Sequence, residues 1–280
     1  MKIKIQHLSL YKYNQPVFLE SQEIRLCPRS DGNTKICDFH YKIEPEPDSS
    51  GIIIDGEGNC VIKVWFMQET EYLNVKISWT GENTNSNPYN FIINLDNTDL
   101  PAKYNPVNEK PLELYRKIEN ESNIVRAFSD SIAQKTDNKI LLFLKELTSE
   151  IYNIFIYEKR EEGDPYAPEF ILQHKKGSCR DLAVLFMECC KYQGLAVKFV
   201  SGYRIDKESN EKNDLHAWVE VYIEGGGWRG FDPSVGLAVN DEYFALATSY
   251  LPSVTLPVSG TYRSDYSTSE LKTLINAEIL

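Results

Sequence analysis

The 280-residue sequence has no run of about 18 consecutive apolar residues, the length that a membrane-spanning helix requires. Its first residues, MKIKIQHLSLYKYNQP, alternate charged and apolar side chains and contain no apolar signal segment. Its net charge of −11 leaves no excess of Lys and Arg to bind nucleic-acid phosphates or an anionic membrane. We therefore expect a cytoplasmic protein that binds neither nucleic acid nor membrane.

The cysteines and histidines also lack the spacing of a metal site. No C-x-x-C pair occurs, and the four histidines do not fall at zinc-finger spacing, so we expect no metal and no cofactor. The six cysteines are Cys27, Cys37, Cys60, Cys179, Cys189 and Cys190. Cysteines in cytoplasmic proteins are usually reduced and buried. We predict that all except Cys179 are largely buried and form no disulfides.

The first 95 residues contain short segments typical of an antiparallel sheet. Turn-forming clusters at residues 48–51, 55–59 and 81–88 separate them. The predicted strands are KIKIQHLSLYKY, KICDFHYKIEPEP, CVIKVWFMQ, YLNVKISWT and YNFIINL. We predict an all-β, sandwich-like domain over residues 1–100.

A proline-containing linker at residues 96–111 precedes a change of hydrophobic period. Residues 112–134 and 138–158 place apolar side chains at helical spacing, and a third helix is predicted from Ser178. Three strands then follow: AVKFVSGYRI, HAWVEVYI and GWRGFD. We assign residues 101–280, including the mixed C-terminal segment, to a second domain of α+β class.

The helix predicted from Ser178 carries three of the cysteines. Cys189 shares an apolar face with Leu182, Leu185 and Phe186, and Cys190 shares a second apolar row with Ala183 and Met187, which makes both cysteines core residues. Gly194 is suited to end the helix. Cys179, in contrast, stands at the helix N-terminus, where the dipole favours a thiolate.

His216 and Asp232 complete a possible nucleophilic site. A hairpin turning at Glu224–Gly227 would bring them to one end of the sheet, apart from a small register mismatch that a glycine bulge could absorb. Histidine could then form an ion pair with the Cys179 thiolate and protonate a leaving amine, while the carboxylate orients the imidazole. We predict a hydrogen bond from Nδ1 of His216 to Asp232.

Four segments together resemble the core of the transglutaminase-like superfamily: GSCRDLAVLF, VSGYR, LHAWVEVYI and GWRGFDPSVG. The N-terminal half, with EIRLCPR and DGEGN followed by VWF, resembles the β-rich module of bacterial members, and the tail EYFALATSYLPSVTLPVSGTYR resembles their C-terminal segment. The resemblance implies a papain-like core of helices packed on an antiparallel sheet. It also implies that Cys179 is the nucleophile, His216 the general base and acid, and Asp232 the orienting carboxylate.

The implied reaction is attack on an amide carbonyl of a peptide or protein substrate, giving an acyl-enzyme. Hydrolysis is favoured because the sequence reveals no acceptor-amine site and water is always present. Crosslinking is disfavoured because crosslinking transglutaminases have Trp after the nucleophile, where this chain has Arg180, and require calcium. A non-catalytic binding module of the same fold is the alternative. Trp218 and Trp228 flank the site on its hairpin, and the sequence leaves open whether they line the substrate groove or belong to the sheet core.

Overall fold

The computed structural model describes residues 1–160, 163–206, 214–264 and 266–280. The strands are β1 (Lys2–Ile24), β2 (Thr34–Glu44), β3 (Ser49–Ile54), β4 (Cys60–Trp65), β5 (Glu69–Asn83), β6 (Ile156–Tyr157), β7 (Lys176–Gly177), β8 (Val197–Arg204), β9 (Leu215–Ile223), β10 (Gly227–Asp232), β11 (Leu237–Ala238), β12 (Tyr243–Ser249), β13 (Val258–Arg263) and β14 (Ser269–Ile279). The α-helices are α1 (Pro106–Glu109), α2 (Glu113–Arg116), α3 (Asn123–Lys135), α4 (Ile140–Ile154), α5 (Pro168–His174) and α6 (Cys179–Tyr192). Together they form the predicted α+β fold.

The long strand β1 organises the N-terminal region. Its apolar residues alternate, and the side chains of Ile3 and Ile5 are buried on one face. Its first half pairs with β5 and β14, and its last residues pair with β4 and β13, with the register shifting between Lys12 and Val17. The predicted all-β region therefore supplies five of the seven strands of one sheet, in which β1 pairs with β4, β5, β13 and β14.

The last strands of the chain correct the predicted grouping of the C-terminal segment with the second domain. β13 and β14 pair with β1, and Ile275 of β14 is buried in the core of the N-terminal sheet. Ile275 is the single fully buried residue of β14, so the strand lacks the alternation that would have identified it. β12 was missed for the opposite reason, because all seven of its residues are buried.

Three other local predictions differ from the structure. Residues 89–95, predicted as a strand, are irregular, because Phe91 and Ile93 pack against the helical core instead of pairing in a sheet. β3 occupies residues that were predicted to include a turn, and α5 was not predicted. None of these differences moves the elements that carry Cys179, His216 and Asp232.

The second half of the chain forms an antiparallel sheet of order β11-β10-β9-β8-β12. Helix α6 packs on β8 and β9, with Leu182, Leu185 and Phe186 buried as predicted. Gly194 follows the helix with φ of 73°, which suits a glycine at this position. On the other side of the sheet, Tyr203 and Phe244 pack against Trp79 of β5 and join the two sheets.

All six cysteines are free thiols, and the prediction that they are buried is only partly correct. Cys189 and Cys190 are buried in the helical core, whereas Cys27 and Cys60 are partly exposed. Cys37 is exposed because β2 lies at the edge of its sheet. Within the described ranges, no helix is long and apolar enough to cross a membrane.

Candidate active site

The buried carboxylate of Asp181 fixes the start of α6. Asp181 accepts hydrogen bonds from the backbone N–H of Ser178 at 2.8 Å and from its hydroxyl at 2.7 Å. It also accepts from the backbone N–H of Tyr166 at 2.7 Å and pairs with Arg160 at 2.6 Å. Burial acts to raise the pKa of Asp181, but these donors lower it below its ordinary value.

Two further contacts hold the chain around Cys179. A Cβ on Gly177 would lie 2.8 Å from the Cβ of Asp181, so glycine lets the preceding strand approach the helix. Arg180 donates to the carbonyls of Gly163 at 2.8 Å and Arg160 at 2.9 Å, and so fastens the loop beside the helix start. Cys179, the first residue of α6, is thereby held with 9% of its surface exposed.

His216 and Asp232 meet at one end of the β9–β10 hairpin, as predicted, but through a different nitrogen. Nε2 of His216 lies 2.6 Å from Oδ2 of Asp232, so the prediction that Nδ1 makes this bond is wrong. Phe231 pairs with Val219, a register two residues away from the predicted one. Because Asp232 takes Nε2, the other ring nitrogen, Nδ1, is left to interact with the sulfur of Cys179.

Asp232 is held by two residues that sequence reasoning missed. The Ser234 hydroxyl donates to Oδ1 at 2.7 Å and its backbone N–H donates to the same oxygen at 2.9 Å. The Tyr243 hydroxyl donates to Oδ2 at 2.9 Å. An Asp bonding two residues ahead is a common turn, so the DPS sequence carried a signal for Ser234. Tyr243 comes from β12, at the far edge of the sheet, and had no local signal.

The three side chains form a charged, buried cluster. Burial acts to raise the pKa of the Cys179 thiol, but the hydrogen bond and charge of His216 lower it below its ordinary value. Burial acts to lower the pKa of His216, but Asp232 and Cys179 raise it to about 10. Burial likewise opposes ionisation of Asp232, whereas His216, Ser234 and Tyr243 lower its pKa. The arrangement therefore favours a thiolate facing an imidazolium.

The two tryptophans do not line a substrate groove beside this cluster. Trp218 is 1% exposed and packs edge-on against Tyr243, behind His216, so it belongs to the sheet core. Trp228 pairs with Tyr222 in the hairpin. Tyr222 lies six residues from His216 along β9, about 20 Å at the usual rise per residue. Of the two possibilities that the sequence left open, burial favours the sheet core for Trp218, and Trp228 lies far along the hairpin from His216.

Among the described residues, no group of three or more His, Cys, Asp or Glu side chains could hold a metal ion. Cys179, His216 and Asp232 can instead act through covalent and proton-transfer chemistry. A thiolate at a helix N-terminus can attack a carbonyl carbon, and the helix N–H groups can bind the resulting oxyanion. An imidazolium can then protonate a leaving group.

Comparison with known proteins adds two family matches. The model of the transglutaminase-like superfamily matches residues 126–233, which include Cys179, His216 and Asp232. The model of the bacterial transglutaminase-like N-terminal region matches residues 3–82, within the β-rich sheet. The two matches follow each other in the order expected from the sequence.

Individual relatives are distant. YebA of Bacillus subtilis is 28% identical over 131 residues, which span 40% of this chain and 17% of that protein. Rv2569c of Mycobacterium tuberculosis is 29% identical over 113 residues, which span 37% of this chain and 36% of that protein. A solved structure from Cytophaga hutchinsonii, provisionally described as a cysteine protease, is similar over 98% of this chain and 91% of its own. With a TM-score of 0.71 and 17% identity, that likeness establishes a shared fold.

Proposed function

The chain belongs to the transglutaminase-like superfamily, and from this premise we propose that it is a cysteine-dependent enzyme acting on amide bonds of peptides or proteins. Cys179 is the nucleophile, His216 the general acid and base, and Asp232 the residue that orients the imidazole. The observation that carries the proposal is the position of His216, with Nε2 bonded to Asp232 and the Cys179 sulfur as its other partner.

The reaction begins with attack of the Cys179 thiolate on the substrate carbonyl, which forms a C–S bond and an oxyanion. When the oxyanion collapses, the C–N bond breaks and Nδ1 of His216 gives its proton to the leaving amine. His216 then takes a proton from water, whose oxygen attacks the thioester. Release of the acid breaks the C–S bond, and the proton on His216 restores the thiolate–imidazolium pair.

We favour water over an amine as the final acceptor. In protein-crosslinking transglutaminases, Trp follows the nucleophile, whereas here Arg180 occupies that position and binds the loop carbonyls of Gly163 and Arg160. These contacts of Arg180 support the proposal that the residue after the nucleophile has a different role here from the Trp of crosslinking enzymes. A cytoplasmic location, with no nucleic-acid or membrane partner, agrees with the net charge of −11 and belongs to the same proposal.

Labelling with electrophilic peptide probes tests the proposed nucleophile. We expect the probe on Cys179 in the native protein and no labelling of that helix in Cys179→Ala. Cys37→Ala is the matched control, because Cys37 is exposed but lies on β2, away from His216. If the probe modified exposed Cys37 and left Cys179 unmodified, the result would contradict the enzyme proposal and favour a non-catalytic binding module.

A further inference from the structure

A cavity of about 90 Å³ lies between the N-terminal sheet and the face of the second sheet that carries Trp218 and Glu220. The N-terminal region contributes Asn83, at the end of β5, to its lining. Arg29 and Asp31 also line it, and they keep 32% and 37% of their side chains exposed, so the cavity reaches solvent there. A water molecule needs about 10–15 Å³ of such space, so the cavity can hold a ligand of a few non-hydrogen atoms but not a peptide.

Trp218 brings a buried hydrogen-bond donor to this cavity. The residue lines the cavity with 1% of its surface exposed, and its Nε1 is buried without a hydrogen-bond partner among the described residues. The ring of Tyr243 packs edge-on against the indole. The carboxylate of Glu220, two residues along β9, already accepts hydrogen bonds from Arg29 and pairs with Lys198 at 3.1 Å. Buried polar groups in folded proteins almost always have a partner, so this N–H indicates an acceptor that the described chain does not provide.

Arg29 adds a second donor and a positive charge. Its two terminal nitrogens bind Glu220, whereas its Nε is buried without a hydrogen bond and faces Asp31 as an ion pair at 3.3 Å. Burial acts to raise the pKa of Glu220, but Arg29 and Lys198 lower it to about 2, so two cations surround this one carboxylate. The inner part of the cavity therefore combines two available N–H donors with an excess of positive charge, a combination that suits a carboxylate ligand.

Trp79 has the same kind of N–H in a different setting. It too is 1% exposed, with a buried Nε1 that has no partner in the described ranges. Its ring packs against Tyr203 and Phe244 in the hydrophobic core, and it does not line the cavity. Trp79 is therefore the natural control for any ligand that binds at Trp218.

We propose that this cavity is a binding site for a small free carboxylate, whose oxygens accept hydrogen bonds from Nε1 of Trp218 and Nε of Arg29. The bidentate pair with Glu220 holds the guanidinium in place for the ligand. Asp31 lies at the exposed mouth of the cavity, where solvent screens its charge from the bound anion.

This binding site is separate from the proposed catalytic chemistry. Cys179 does not line the cavity, and binding of the carboxylate involves no bond to its sulfur. The one link between the two sites is Tyr243, which lines the cavity and whose hydroxyl donates to Asp232 at 2.9 Å. A bound carboxylate therefore lies beside a residue that holds the catalytic hydrogen-bond network.

NMR of the indole N–H groups tests the proposal on the full chain, labelled with ¹⁵N at its four tryptophans. Sodium acetate is the probe, added in exchange for sodium chloride so that the ionic strength stays constant. We expect the indole proton of Trp218 to move to higher frequency and to saturate with a Kd in the millimolar range, because so small a ligand makes few contacts. The signal of Trp79 should not move. Trp218→Phe and Trp79→Phe identify the two signals.

Two comparisons test the chemistry of the site. Arg29→Lys keeps the positive charge and removes Nε, so we expect the Kd for acetate to rise by about 10-fold or more. An unchanged Trp79 signal in this variant shows that the fold is retained. Acetamide has the size of acetate without its charge, and we expect it to bind at least about 10-fold more weakly.

A Trp218 signal that stays in place, or that drifts without saturation together with the Trp79 signal, would overturn the proposal. Acetamide binding as tightly as acetate would overturn the assignment of the ligand as a carboxylate. An unchanged Kd in Arg29→Lys would overturn the site built on two donors. Failure of the enzyme proposal is a separate result, because Cys179→Ala should bind acetate with the affinity of the wild-type protein.

Discussion

Both ends of helix α6 place cysteines in buried surroundings, but the pKa values of their thiols shift in opposite directions. At the N-terminus, burial opposes the charge on Cys179, yet His216 lowers the pKa of its thiol below the ordinary value. At the C-terminal end, burial is the largest effect and raises the pKa of both Cys189 and Cys190 above its ordinary value, although the charge of Lys191 acts to lower that of Cys190. Burial therefore disfavours the thiolate at both ends of the helix, and only at Cys179 does the neighbouring imidazole of His216 outweigh it.

Position along the helix adds to this difference. Cys179 lies where unpaired N–H groups and the positive end of the dipole favour an anion, whereas Cys189 and Cys190 lie near the negative end. The Ser129 hydroxyl donates to the backbone carbonyl of Cys189 at 2.7 Å. This hydrogen bond joins α3 to α6 through the backbone and does not stabilise a thiolate at Cys189. The same helix therefore supplies a reactive sulfur at one end and packing at the other.

Exchanging the cysteines for alanine one at a time should give the largest contrast between the two ends. We expect Cys179→Ala to lower turnover by at least about 10³-fold, because covalent attack is lost. Cys189→Ala should keep turnover and lower the free energy of unfolding by about 1 kcal/mol, since it leaves a small cavity. Steady-state kinetics and urea unfolding measure the two effects, and comparable turnover in both variants would refute the assignment of roles.

Removing the negative charge of Asp232, which bonds Nε2 of His216, should cause the next largest loss of kcat. Asp232→Asn should retain the fold and lower kcat by roughly 10³–10⁴-fold, because the amide no longer stabilises the imidazolium or its orientation. Against the lowering effect of burial, Asp232 and Cys179 raise the pKa of His216 to about 10, so the imidazolium of the native protein is lost only as pH rises through that value. In the variant this pKa falls, and the basic limb of the kcat profile should move toward neutral pH. An unmoved limb with full turnover would remove Asp232 from the mechanism.

Removing one of the hydrogen bonds that hold Asp232 should lower kcat by a smaller factor. Tyr243→Phe deletes the 2.9 Å hydrogen bond to Oδ2 but leaves both bonds from Ser234. A buried hydrogen bond contributes about 1 kcal/mol, so we expect kcat to fall by about 3- to 10-fold. Tyr243 is a positioning residue, and the basic limb of the pH profile should shift slightly downward. Tyr250→Phe, just after β12, is the control and should change neither quantity.

Much of the site could be predicted because its elements carry strong local patterns. The apolar period of α6 located Cys179 at a helix start, and the glycines after Glu224 located the turn that brings His216 and Asp232 together. Gly225 and Gly227 both have positive φ, which explains why glycine is used in this turn. The prediction that Cys179 on the helix lies beside His216 on the hairpin came from the family resemblance rather than from these patterns.

The remaining features depend on contacts that no local pattern encodes. Which nitrogen of His216 bonds Asp232 is set by the ring orientation, and this depends on packing against Trp218 and Tyr243. The strand pair β6–β7, which lies just before Cys179, has only two residues on each side, too short to produce a recognisable alternation. The sequence therefore predicted the residues that form the site more reliably than the atoms through which they bond.

A pH series of iodoacetamide alkylation on the native protein, with each modified peptide identified, tests the comparison most directly. We predict that Cys179 reacts fast and still reacts below pH 7, whereas the buried thiols of Cys189 and Cys190 stay unmodified. In His216→Ala the pH at which Cys179 becomes reactive should rise. Alkylation of Cys179 at pH 6 no faster than that of Cys189 or Cys190 would contradict the account.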